Sequence, residues 1–206
     1  AHPEDLADLA LIRGHAAEQK GDLAGFRSFN EQVLVTPDDG SLELAASRYI
    51  AHVNLYTWHL HRGAYREAHG HLERAIAIAQ DRGFGPYLLA ARLQRAHLFL
   101  TEGRPAEAET ALAALPEGWR DQLDWHDLAC AHAVIGHLHA ARGEWAAAET
   151  ALRASMTTFD RIGERMVLRL SGGTAMGLVN RAMDRGEVPS RFDEDGKPKA
   201  DGIWEA

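Results

Sequence analysis

The segment GRPAEA, Gly103–Ala108, returns as GAYREA at Gly63–Ala68 and as GEWAAA at Gly143–Ala148. The glycine that opens it also stands at Gly21 and Gly186, so successive copies lie 42, 40, 40 and 43 residues apart. Self-similarity at a fixed period of about 20–50 residues marks stacked structural units. Each unit buries its apolar face only against its neighbours, so the chain becomes an extended scaffold. The functional question is then what lies along its groove.

Outward from these glycines the pattern is helical. Ala and Leu abound, β-branched residues are sparse, and no segment alternates with period two. Helices are expected from Glu4 to Lys20, Leu23 to Val35, Leu42 to Arg62, Tyr65 to Arg82 and Tyr87 to Glu102. Others follow from Pro105 to Leu115, Leu123 to Arg142, Glu144 to Ile162 and Arg165 to Arg185. Thr36-Pro37-Asp38-Asp39-Gly40 reads as a loop, with Ser41 as the N-cap of the helix after it. Pro105 falls on a first helical position, where its missing N–H costs nothing. The expected fold is an all-α right-handed solenoid of about nine helices over residues 1–187, with a polar tail over 188–206.

Aligned on the glycine, the copies share more than the turn. Five residues after it stand Phe26, Ala68, Ala108 and Ala148, and nine after it Asn30, Leu72, Leu112 and Leu152. Seven before it stand Gly14, Tyr56, Ala96, Gly136 and Val179. Small residues let two crossing helices approach, and large ones fill the space between units. This pattern resembles the tetratricopeptide repeat, in GAYREA, GRPAEA and GEWAAA and in the small residues Gly14 and Gly136. The period exceeds that family's usual length of about 34 residues. Units of this length resemble those in the sensor domains of large bacterial transcription activators. The segment Glu73–Leu112 is similar to them in style.

The resemblance implies that the first helix of each hairpin lines a concave groove. Residues four apart share a helix face. The stripes ten, six and two residues before each glycine then read Leu11, His15, Gln19; Val53, Thr57, His61; Leu93, His97, Thr101; Ala133, His137, Ala141; and Met176, Asn180, Asp184. The middle row runs His15, Thr57, His97, His137, Asn180, with His61 and Thr101 beside it. Uncharged hydrogen-bonding groups in a row suit an extended peptide or a small ligand. The same row also describes an ordinary wetted inner wall. The carboxylate clamp of the family needs Lys, Arg and Asn in the groove, and only Asn180 matches.

Composition narrows the function. The formal net charge is −8, and only three of 206 residues are Lys (Lys20, Lys197, Lys199), which opposes direct contact with a nucleic-acid backbone. The single cysteine, Cys130, lies in an apolar helical stretch and reads as a buried small hydrophobe in a reducing, cytoplasmic compartment. No apolar run reaches the roughly 18 residues of a membrane span. No basic-then-apolar leader opens the chain. Ala1 stands where Met is expected, so an upstream domain is anticipated in the whole protein.

His59-Leu60-His61, His69-Gly70-His71 and His137-Leu138-His139 look like metal pairs. Residues two apart on a helix point about 200° from one another, so neither member can join the other on one ion. No phosphate loop or nucleophile elbow occurs, and the carboxylates sit on solvated helix faces. The sequence therefore predicts no catalysis, metal or cofactor. It predicts a scaffold that holds a protein or peptide segment in its groove, as part of a bacterial transcriptional regulator. A small-ligand sensor with its effector in the groove is the alternative, and self-association stays open.

Overall fold

The structure, a computed structural model, describes residues 2–162. The expected ninth helix, Asn180 and the polar tail lie outside the described residues. Within them the chain is all-helical, with no strand. In order, α1 covers Pro3–Gln19, α2 Leu23–Val35, α3 Leu42–Leu60, α4 Tyr65–Asp81 and α5 Gly85–Thr101. Then come α6 over Pro105–Ala113, a 3-10 turn over Trp119–Gln122, α7 over Trp125–Ala141 and α8 over Trp145–Ile162. No helix among the described residues is long and apolar enough to cross a membrane.

The recurring glycines end the helices in one way. Gly21, Gly63, Gly103 and Gly143 have φ of +73°, +68°, +76° and +74°, a left-handed conformation that costs a residue with a Cβ. Each glycine N–H bonds the carbonyl three residues back, at Glu18, Leu60, Leu100 and Ala140. The next residue's N–H bonds five back, at Ala17, His59, Phe99 and His139. This is the double-bonded helix stop that satisfies otherwise orphaned carbonyls. One residue later a new helix starts, so the turn is tight.

Other boundaries follow from capping. Ser41 Oγ accepts from the Leu44 N–H at 3.1 Å, and Asp22 caps α2 through the Gly25 N–H at 2.9 Å. Asp124 takes the Asp127 N–H at 2.7 Å, which moves the start of α7 from the expected Leu123 to Trp125. The 3-10 turn was not expected. It follows Gly118 (φ +68°) and is fixed by the Asp121 N–H on the Gly118 carbonyl at 3.1 Å.

The chain divides into two compact units, residues 1–98 and 99–206. In the first, α1 packs on α2, α3 on α4, and α3 also on α1 and α2. The α1–α2 pair is antiparallel. A Cβ built at Gly25 meets Ala17 at 3.3 Å, whereas one built at Gly14 meets Asn30 at 3.2 Å and Phe29 at 3.5 Å. Gly14 thus leaves room for Asn30 and Phe29 of α2. On α4 the residues Ala68, Leu72, Ala75, Ile76 and Ala79 recur at helical spacing and form one buried stripe. They join Tyr49, Tyr56, Leu60, Ala91 and Leu98 in one core. Helix α3 is tied on both sides. Ser47 Oγ donates to Asp8 Oδ1 at 2.7 Å on α1. Toward α5, the Tyr49 hydroxyl donates to the Tyr87 carbonyl at 2.8 Å and the Tyr56 hydroxyl to the Gln94 carbonyl at 3.2 Å.

In the second unit α7 packs on α8, and α6 touches α7. A Cβ at Gly136 would lie 2.9 Å from Leu152 Cγ and 3.3 Å from the Ala148 carbonyl. Ser155 Oγ donates to the Ala129 carbonyl at 2.8 Å in the buried interior. At the other end of the pair His139 meets Glu144. An Arg142–Glu109 ion pair ties α6 to the end of α7.

Candidate functional site: a polar seam and its arginine-lined cleft

The residues of the expected groove row sit at different depths. His15 is exposed, with Gln19 Nε2 at 3.2 Å and Glu18 at 3.8 Å. Thr57 is half-buried and gives its hydroxyl to the Val53 carbonyl at 3.1 Å. Both therefore find partners on their own helices. His61 is exposed at the C-cap of α3. His97 is buried in the first unit at 9% exposure, and His137 in the second at 2%. Thr101 is half-buried at the end of α5.

A denser polar constellation lies between α2, α3 and α4. On α3 the residues Ala45, Arg48, His52, Leu55 and His59 recur at alternating three- and four-residue spacing, so they share one face, and Arg62 follows in the turn after it. His52 Nδ1 lies 2.9 Å from His71 Nδ1 of α4, a separation that requires one of the two to carry the proton. His71 in turn stacks on His59, with ring centroids 5.3 Å apart and planes 18° apart. Trp58 meets His59 edge-on at 4.8 Å. The guanidiniums of Arg62 and Arg27 lie 3.8 and 4.9 Å from the centre of the Trp58 ring. Asn30 of α2 is fully buried. Its Nδ2 donates to the Phe26 carbonyl at 2.8 Å and its Oδ1 accepts from Asn54 at 2.8 Å.

The seam holds its imidazoles neutral. Burial first, then His71, Arg74 and Arg48, push the pKa of His52 down from 6.5 to about 4. His71 falls to about 4 through burial first, then His59 and Arg74. His59 is lowered as well, chiefly by burial. Three neutral imidazoles suggest a metal centre. Yet the guanidiniums that depress these pKa values would also repel a dication. The one convergent donor cluster among the described residues is Asp124, His126 and Asp127. Its Asp124 is already engaged as the cap of α7.

At the His52 end the seam opens into a cleft of about 530 Å³, lined by Leu34, Asp38, Ala45, Arg48, His52, Arg74, Ala77, Ile78, Asp81 and Arg82. Two of its arginines brace the α2–α3 loop. Arg48 pairs with Asp38 at 3.0 Å and donates to the Thr36 carbonyl at 2.8 Å. Arg82 contacts Asp81 at 3.3 Å and donates to the Gly40 carbonyl at 3.2 Å. The Gly40 N–H, then Arg48, hold the Asp38 carboxyl below its ordinary pKa. Arg74 makes no ion pair among the described residues. The Nε of Arg48 is a buried donor without an acceptor there.

Sequence reasoning missed this site. It weighed histidines two residues apart, whereas His52 and His59 are seven apart, two full turns along one face. That spacing, with Arg48 four before His52, was the available signal. No protein-family model, curated protein or solved structure matches this chain.

Proposed function

We propose that this chain is a non-catalytic recognition scaffold of tetratricopeptide type, whose stacked helical hairpins hold a peptide segment of a partner protein. One observation carries the reading. The same left-handed glycine stop recurs at Gly21, Gly63, Gly103 and Gly143, each followed after one residue by a new helix. Repetition of one supersecondary unit is the property that builds extended binding surfaces. The resemblance to long-repeat sensor domains makes a bacterial transcriptional regulator the setting. The test uses the whole chain as bait in source-cell extract, with bound proteins identified by mass spectrometry. A specific partner whose binding weakens in the His15→Ala/His61→Ala double variant, the two exposed histidines of the row, at unchanged helical content, supports the reading. Unchanged capture by the double variant removes the row from the interface.

A second reading is a small-ligand sensor. The cleft of about 530 Å³ between α2, α3 and α4 favours it, because its size and its charged groups beside an apolar wall suit a polar metabolite.

A further inference from the structure

We infer that the cleft between α2, α3 and α4 is a binding site for a small molecule bearing an oxyanion, a carboxylate or a phosphate, held by Arg74, Arg48 and His52. The inference rests on the small-ligand reading and names the chemistry of the ligand.

The lining carries three guanidiniums against two carboxylates, Asp38 and Asp81, in a chain whose net charge is −8. Arg48 and Arg82 have structural work in bracing the loop, whereas Arg74 has none among the described residues. Its fork of donors suits the paired oxygens of a carboxylate or phosphate. Arg48, held by Asp38 and the Thr36 carbonyl, adds its positive charge to the same wall of the cleft. His52 lines the same cleft at 7% exposure. Its Nδ1 is engaged by His71, which leaves Nε2 for a ligand. An anion selects one tautomer. The His71 Nδ1–H donates to His52 Nδ1, and the His52 Nε2–H points its proton at the oxyanion. Leu34, Ala45, Ala77 and Ile78 supply an apolar wall for the rest of the molecule.

The charged and titratable groups around His52 are Arg48 on its own helix, His71, Arg74 and Asp81 on α4, Arg82 at the C-cap of α4, and Asp38 on the loop. A bound anion offsets the cationic side of this set, so the imidazole of His52 protonates at higher pH when the cleft is filled.

The experiment is a side-chain nitrogen NMR titration of the full chain with inorganic phosphate and, separately, succinate, at ionic strength held constant with chloride. The expected result is saturable movement of the His52 Nε2 and Arg74 Nε resonances. Arg74→Gln should weaken binding about tenfold, the scale of one lost charge-assisted fork. Arg13→Gln, on exposed α1 surface, should leave it unchanged. Preference for phosphate assigns a phosphorylated ligand, and preference for succinate a carboxylate. An equal response to chloride, or wild-type affinity in folded Arg74→Gln, overturns the inference. A neutral metabolite that fills the cleft regardless of Arg74 would also overturn it, while leaving the small-ligand reading in place.

Discussion

The Nδ1 atoms of His52 and His71 lie 2.9 Å apart where α3 packs on α4, and both rings titrate near pH 4 rather than near 6.5. The folded pKa values lie below the unfolded ones, so the unfolded chain binds more protons between them. Stability from these rings is full above about pH 6.5 and falls as pH drops toward 4. Thermal melts followed by circular dichroism should show the melting temperature falling through that window. A His52→Leu/His71→Leu variant should flatten the slope, and an equally steep slope there would place the acid sensitivity elsewhere.

Two glycines inside helices should respond to alanine with opposite signs. At Gly136 the new methyl would stand 2.9 Å from Leu152 Cγ and 3.3 Å from a backbone carbonyl, so Gly136→Ala should destabilise by about 1–3 kcal/mol. At Gly70 a Cβ meets nothing within 4 Å, so Gly70→Ala should stabilise by about 0.5–1 kcal/mol through helix propensity. Urea denaturation of the two variants reads both numbers. A Gly136→Ala variant as stable as, or more stable than, the parent would refute the close α7–α8 crossing.

The turn glycines make a different demand. Nothing crowds a Cβ at Gly63, yet its φ is +68°. Gly63→Ala should therefore cost about 1–2 kcal/mol through backbone strain alone. Gly63→Asn should cost less, because Asn enters this conformation more readily. If chemical denaturation ranks Asn below Ala, the left-handed turn is absent.

Asn30 stands where the other copies carry Leu72, Leu112 and Leu152. It is fully buried, and both of its polar side-chain atoms are bonded, to the Phe26 carbonyl and to Asn54. Asn30→Ala should cost about 1–3 kcal/mol, since Asn54 loses the acceptor it reaches across from α3. In a double-mutant cycle with Asn54→Ala the two losses should not add. Strict additivity would mean that the bond contributes nothing.

The helical turns were legible because glycine does there what no other residue does cheaply. Gly21, Gly63, Gly103 and Gly143 mark the helix ends by sequence alone, and Ser41 and Pro105 mark two starts. Depth was not legible. Spacing puts His15, His97 and His137 on equivalent faces, but what packs over each face decides whether it is wet, and that depends on neighbouring helices. The seam was hidden for the same reason. His71 reaches His52 and His59 only through the register that Gly63 imposes on α4. Arg48 and Arg74 are 26 residues apart and meet only when the hairpin closes. The 3-10 turn at Trp119–Gln122 was missed because Pro116 and Gly118 announce a turn without specifying its kind.

The central claim is one hairpin unit used repeatedly. Backbone NMR, by chemical shifts and through-hydrogen-bond couplings, tests it over Ala17–Phe26, His59–Ala68, Phe99–Ala108 and His139–Ala148. The four segments should share one backbone conformation, each with a left-handed glycine and an N–H bonded five residues back. Turns that differ from one another, or a strand in place of any of these helices, would contradict it.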